Sequence, residues 1–180
     1  MSTKVNSKIE ELFMEFPSGE FHLREIARIC RISPRTAKKY LGALLLEGAI
    51  KRRNDRLYEF YSANMESQVY RDMKMFYNLK KLRKSGIIDY INEELHNPAI
   101  VLFGSAAKGQ DTEKSDIDLF ILARSRKTLD IKSFERKLGR EIQAFLFTEE
   151  NLRQITVKNK ELLNSVINGV VISGMLEVFK

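Results

Sequence analysis

The chain has 180 residues, 43% of them hydrophobic, which suits one medium or two small folded domains and excludes a disordered chain. Its 31 Lys and Arg against 24 Asp and Glu give +7 at pH 7, a balance that favours polyanionic partners. The single cysteine, Cys30, excludes an internal disulfide, and no apolar run is long enough to span a bilayer and no secretory pattern opens the chain, so a cytoplasmic protein without a membrane span is expected.

Ile9, Leu12, Phe13 and Phe16 recur at helical spacing until Pro17-Ser18-Gly19 breaks the run, which predicts a first helix. "HLREIARIC" reads as a short second helix. Ser33-Pro34 then supplies an N-cap and a proline at the first helical position, opening a third helix, "PRTAKKYLGALLLEG", that Gly48 closes. Two strand-like runs in "AIKRRNDRLYEFYSA" flank Asn54-Asp55, a turn pair that tolerates left-handed backbone. The expected order is helix, helix, turn, helix, two-stranded hairpin over residues 1–64. A Lys/Arg-rich helix over residues 65–84 follows as a connector, with Val69, Met73, Phe76, Tyr70 and Tyr77 on neighbouring stripes that read as connector packing or a dimer contact.

From residue 85 to 180 the pattern alternates. "IIDYINEEL" is helical, strands are expected at 99–103 and near 117–122, 141–147 and 169–173, and "EENLRQI" and "NKELLNSVIN" supply the last helices. The fold class is α+β, with a mixed sheet flanked by helices in this second part. His22 and His96 are far apart in sequence and form no zinc pattern, so surface or capping roles are expected for both. Cys30 lies on an apolar side and reads as a small buried hydrophobe. The basic stretch "ARSRKTLDIKSFERKLGR" reads as a solvated helix face.

In "LREIARICRISPRTAKKYLG", Ile26, Ala27, Cys30, Ile32, Ala37 and Tyr40 stand where two crossing helices must touch. With the hairpin that follows, residues 7 to 63 resemble the helix-turn-helix of winged-helix regulators. The resemblance implies that Arg35, Thr36, Lys38 and Lys39 face DNA from the third helix, and that Arg52, Arg53 and Arg56 meet phosphates from the wing. Arg31 stands where the turn often has glycine; left-handed backbone there would cost an arginine a modest strain. A solvated helical face, or a protein or RNA contact, is the competing reading of these cations.

"AIVLFGSAAKGQDTEKSDIDLFIL" carries the most specific signal. Asp116 and Asp118, at i and i+2, project from one face of a strand, so they can share a divalent ion while Ile117 packs on the other side. Gly104-Ser105 leaves a buried strand and can meet a phosphate through amides and a hydroxyl. With ten residues between Ser105 and Asp116, the stretch resembles the minimal nucleotidyltransferases of the polymerase-beta superfamily. That resemblance extends over residues 85 to about 175. It implies transfer of a nucleoside monophosphate from a nucleoside triphosphate, ATP first among them, to an acceptor that the sequence does not name, a partner protein being one option. Mg²⁺ or Mn²⁺ would be held by Asp116 and Asp118, the catalytic pair, and triphosphate by Gly104 and Ser105, with Lys108 a further phosphate contact. A third aspartate belongs on the family's next strand; here "LGREIQAFLF" puts Gln143 in its place, with Glu141 two residues earlier. Glutamine is neither a base nor an anionic ligand, so the alternative is a weak or inactive domain in a nucleotide-sensing transcriptional regulator. The expected assembly is a homodimer on DNA.

Overall fold

The computed structural model describes residues 2–55, 58–152 and 159–177. They form two compact units, Met1–Tyr77 and Asn78–Lys180, and the division falls inside one helix. No described helix is long and apolar enough to cross a membrane.

The first unit runs α1 (Ser2–Glu15), β1 (Glu20–His22), α2 (Leu23–Cys30), α3 (Pro34–Leu46), β2 (Ile50–Asp55), β3 (Tyr58–Ala63) and the start of α4 (Gln68–Ser85). Its antiparallel sheet has the order β1-β3-β2. Local chemistry sets the helix ends. The His22 imidazole Nδ1 accepts from the Glu25 amide at 3.2 Å and caps α2. The Ser33 hydroxyl accepts from the Thr36 amide at 3.1 Å and caps α3, with Pro34 at its first turn. Ile9, Phe13, Ile26, Ala37 and Leu41 are fully buried in one core, each of the four larger side chains contributing roughly 1.5–3 kcal/mol. Three α4 side chains close the end of α1: Tyr70 donates to the Phe13 carbonyl at 3.0 Å, Lys74 donates to the Met14 carbonyl, and Tyr77 donates to the Glu15 carboxylate at 2.5 Å. The residues expected at the α2–α3 crossing behave accordingly: Ile26, Ala27, Cys30 and Ala37 are buried, and Ile32 and Tyr40 pack against them.

Two details differ from the sequence reading. β1 went unpredicted because three residues show no alternation long enough to detect; it is a strand only because it pairs with β3. Asn54 and Asp55 were expected to turn the hairpin, yet they pair with Glu59 and Tyr58, so the ladder continues through them. Residues 56–57, between the two strands, lie outside the described residues.

The second unit holds the rest of α4, then α5 (Ile87–Leu95), β4 (Ala99–Phe103), α6 (Gly104–Ala107), β5 (Ile117–Leu122), α7 (Lys132–Leu138), β6 (Ile142–Phe147), α8 (Lys160–Ile167) and β7 (Val170–Ser173). Residues 149–152 are also helical; the remainder of the helix expected over 149–155 lies outside the described residues. The sheet order is β6-β5-β4-β7, parallel between β5 and β6 and antiparallel elsewhere, so the sheet is mixed. Strand alternation splits its side chains between two cores. Ile100, Leu102, Leu119 and Ile121 join α5 and α7 residues on one face. Val101, Phe103 and Phe120 join Leu163 and Val166 of α8 on the other.

Arg31 sits at φ 57° and ψ 51°, where α2 ends, and the Ile32 amide closes back on the Ala27 carbonyl at 2.9 Å. Left-handed backbone strains a residue with a Cβ, while glycine adopts it freely. Arg31→Gly is therefore expected to stabilise the protein by up to about 1 kcal/mol after glycine's greater unfolded-state freedom is subtracted, measured by thermal unfolding.

Candidate active site

The apolar pattern of β5 is broken at its start, where Asp118, and Asp116 just before the strand, take positions on the face that also carries Phe120. Asp118 pairs across to Phe103 on β4 and, on the other side, to Gln143 on β6. The two aspartates thus lie at the open end of the phenylalanine-lined face, each half-buried, with Phe103 and Phe145 rings 5.6 Å apart beside them. Ile117 points into the opposite core, as the alternation predicts.

Gly104 leaves β4 with φ +71°, and a Cβ there would overlap the Asp118 carboxylate oxygen and come within 3.2 Å of its carbon. The carboxylate is seated on the glycine. The structure therefore brings Gly104, Asp118 and Asp116 together, with Ser105 next along the chain. α6 is a single turn of four residues, so its dipole is too short to carry much of the anion attraction; the main-chain amides and the Ser105 hydroxyl are the groups suited to phosphate. The Ser105 carbonyl accepts from the amides of Lys108 and Gln110 at 3.1 and 3.0 Å, which folds the turn, and the Lys108 side chain is exposed beside it.

Gln143 does not stand idle in the position where a third acid was expected. Its amide nitrogen donates to Asp116 Oδ2 at 2.7 Å. Glu141 is exposed and contributes its carbonyl, which accepts from the Ile117 amide at 2.9 Å. Among the described residues no three His, Cys, Asp or Glu side chains gather as a metal cage. The donor set nonetheless fits a hard divalent ion that takes its remaining ligands from phosphate oxygens and water. Burial, then the neighbouring Asp116 charge, push the Asp118 pKa above the ordinary carboxylate range against a lowering by Arg140. A cation between the two acids would relieve that repulsion.

Sequence reasoning missed the group that holds this site in shape. Arg140 closes the stretch read as a solvated face, yet its side chain is only 11% exposed. It bonds Asp111 Oδ2 at 2.7 Å, the Ser115 carbonyl at 2.6 Å and the Asp116 carbonyl at 2.9 Å. Asp111 is fully buried, and its other oxygen accepts from Asn78, which also donates to the Ala106 carbonyl. The correction follows from packing: three carbonyl and carboxylate acceptors in one fork satisfy a guanidinium away from water. The only sequence hint was an arginine directly after a glycine that ends a helix.

In the first unit, Arg35, Lys38 and Lys39 are exposed along the start of α3. Thr36 is half-buried, its hydroxyl 2.8 Å from that of Ser33, so it serves the helix cap. Arg52 and Arg53 are exposed but ion-paired, Arg52 with Glu59 at 3.4 Å and Arg53 with Glu20 at 2.7 Å and Asp55 at 3.4 Å. Arg56 lies outside the described residues.

Residues 85–175, just over half the chain, match the family model described as Polymerase beta, Nucleotidyltransferase. No curated protein matches the chain.

Because the folded pKa of Asp118 is raised, its protonated form favours the fold; that contribution is present at acid pH and is lost as pH rises through the folded value. Asp118→Asn is therefore expected to raise the unfolding temperature at pH 7 in metal-free buffer, with the gain shrinking to nothing below the ordinary carboxylate range. A gain that is the same at pH 3 and pH 7 would show that the raised pKa is not its source.

Proposed function

The chain belongs to the polymerase-beta nucleotidyltransferase family, and on that premise we propose that its second unit transfers a nucleoside monophosphate from a nucleoside triphosphate to an acceptor hydroxyl. The observation that carries the reading is the seat of Asp118 on Gly104: it joins the carboxylate pair to the turn that would hold the triphosphate. Asp116 and Asp118 would hold Mg²⁺ or Mn²⁺, which when bound neutralises developing charge on the phosphates. Gly104 and Ser105 hold the outer phosphates through amides and a hydroxyl, and Lys108 adds a cation at the edge of the turn. Gln143 fixes the rotamer of Asp116 through its hydrogen bond but takes no proton. The acceptor oxygen forms its bond to the α-phosphorus as the bond to pyrophosphate breaks, and the hydroxyl proton passes to solvent water.

That same hydrogen bond favours a second reading. An amide donor spent on Asp116 leaves no third carboxylate to activate the acceptor, which suits a unit that binds triphosphate and transfers it poorly or not at all. Incubating the protein with each labelled triphosphate, Mg²⁺ or Mn²⁺ and cell extract separates the two. Label passed to any acceptor by the parent, and lost in Asp116→Asn/Asp118→Asn, supports transfer. Metal-dependent binding with no transfer, gained on Gln143→Asp, supports the second reading.

We further infer that the first unit is a winged helix that binds DNA, with α3 as the reading helix. Support comes from the α2–turn–α3 order, the antiparallel hairpin after it, and the exposed Arg35, Lys38 and Lys39. The exposed ion pairs of Arg52 and Arg53 are weak enough to exchange for phosphates. Replacing Arg35, Lys38 and Lys39 together by alanine is expected to weaken DNA binding and to lower the slope of log affinity against log salt by about 2–3, since each phosphate contact contributes about 0.9. An unchanged affinity and slope would exclude this face.

A further inference from the structure

We propose that Arg140 is a positioning residue for the carboxylate pair, acting through the main chain that leads into β5; this rests on the nucleotidyl-transfer reading of the site. The entry to β5 is a loop, Thr112 to Asp116, with few apolar side chains to fix it. The Ser115 hydroxyl folds the loop on itself by accepting from the Thr112 amide at 2.9 Å, and one guanidinium ties the loop to the rest of the unit. Its Nε reaches the Ser115 carbonyl, one terminal nitrogen the Asp116 carbonyl and the other the buried Asp111 carboxylate. Arg140 stands three residues before Gln143, whose amide holds the Asp116 carboxylate. Asp116 is thus held at both ends from one short stretch, its carbonyl by Arg140 and its carboxylate by Gln143. Asn78 extends the same network to α6: it bonds both Asp111 and the Ala106 carbonyl, so the Gly104–Ser105 turn and the Asp116 loop share one buried anchor. Removing the fork frees the Asp116 main chain to rotate and separates the two carboxylates, without touching any group that would meet metal or triphosphate.

The test uses Mn²⁺ alone as the probe, with its affinity for the full chain read by electron paramagnetic resonance. Arg140→Lys keeps a cation against Asp111, but a lone ammonium cannot serve three diverging acceptors. The expected result is a Kd for Mn²⁺ about 10- to 100-fold weaker, the range found for groups that orient metal ligands, with the unfolding temperature in metal-free buffer close to that of the parent. Should Arg140→Lys fail to fold, Arg140→Ala is folded with methylguanidinium present to pair the buried Asp111, and its Mn²⁺ affinity is read there and again after exchange into methylammonium; binding close to that of the parent is expected with the planar cation and not with the ammonium. An unchanged Kd in Arg140→Lys, or equal rescue by both cations, overturns the positioning role. A parent that binds no Mn²⁺, or an Asp116→Asn/Asp118→Asn protein that binds it as the parent does, overturns the metal reading and this inference with it.

Discussion

The second unit is organised around a charge pair that its sequence hides, Arg140 against Asp111. A fully buried carboxylate is tolerable only when both oxygens are satisfied, and Asn78 and Arg140 take one each. Breaking such a pair from one side costs about 3–5 kcal/mol because the survivor stays charged and dry. That cost makes the geometry of the loop between α6 and β5 nearly obligatory: the same guanidinium that satisfies Asp111 also bonds the carbonyls of Ser115 and Asp116. The pair is better understood as a means of specifying one loop conformation than as a source of net stability.

What that loop delivers is a local conflict. Asp118 occupies a position that the strand pattern would give to a hydrophobe, on the face of Phe103 and Phe120. Burial and the neighbouring Asp116 both oppose its ionisation. Gly104 deepens the commitment, since its missing Cβ is the space in which the carboxylate rests. Two acids held against each other at the end of an apolar face lower the stability of the metal-free protein, and they make sense when a cation joins them.

Much of this was legible in the chain. The helix boundaries followed from Ser33-Pro34 and from Gly48, whose signals are local, and the two strands either side of the Gly-Ser turn followed from the apolar run Ala99–Phe103 and from the apolar residues that flank Asp118. The Asp-x-Asp pair was legible because its chemistry depends on spacing within one strand. Legibility ended where a residue's role depends on partners distant in sequence. β1 exists through β3, Asn54 and Asp55 are strand residues through Glu59 and Tyr58, and Arg140 is buried through a carboxylate that 29 residues of chain separate from it. Composition alone gives an arginine in a basic stretch to solvent, and only the fold supplies three acceptors for it.

Gln143 shows how the two levels meet. By sequence it is a missing acid; by structure it is a donor aimed at Asp116. A carboxylate at 143 would place a third negative charge beside two that already repel, and the metal-free site would then lean on bound cations to stay folded. An amide at the same position gives Asp116 a permanent partner and leaves Asp118 as the acid with an unmet need for positive charge. The consequence is a site in which Asp116 is held by hydrogen bonds from Arg140 and Gln143, while Asp118 keeps the carboxylate whose ionisation its surroundings oppose.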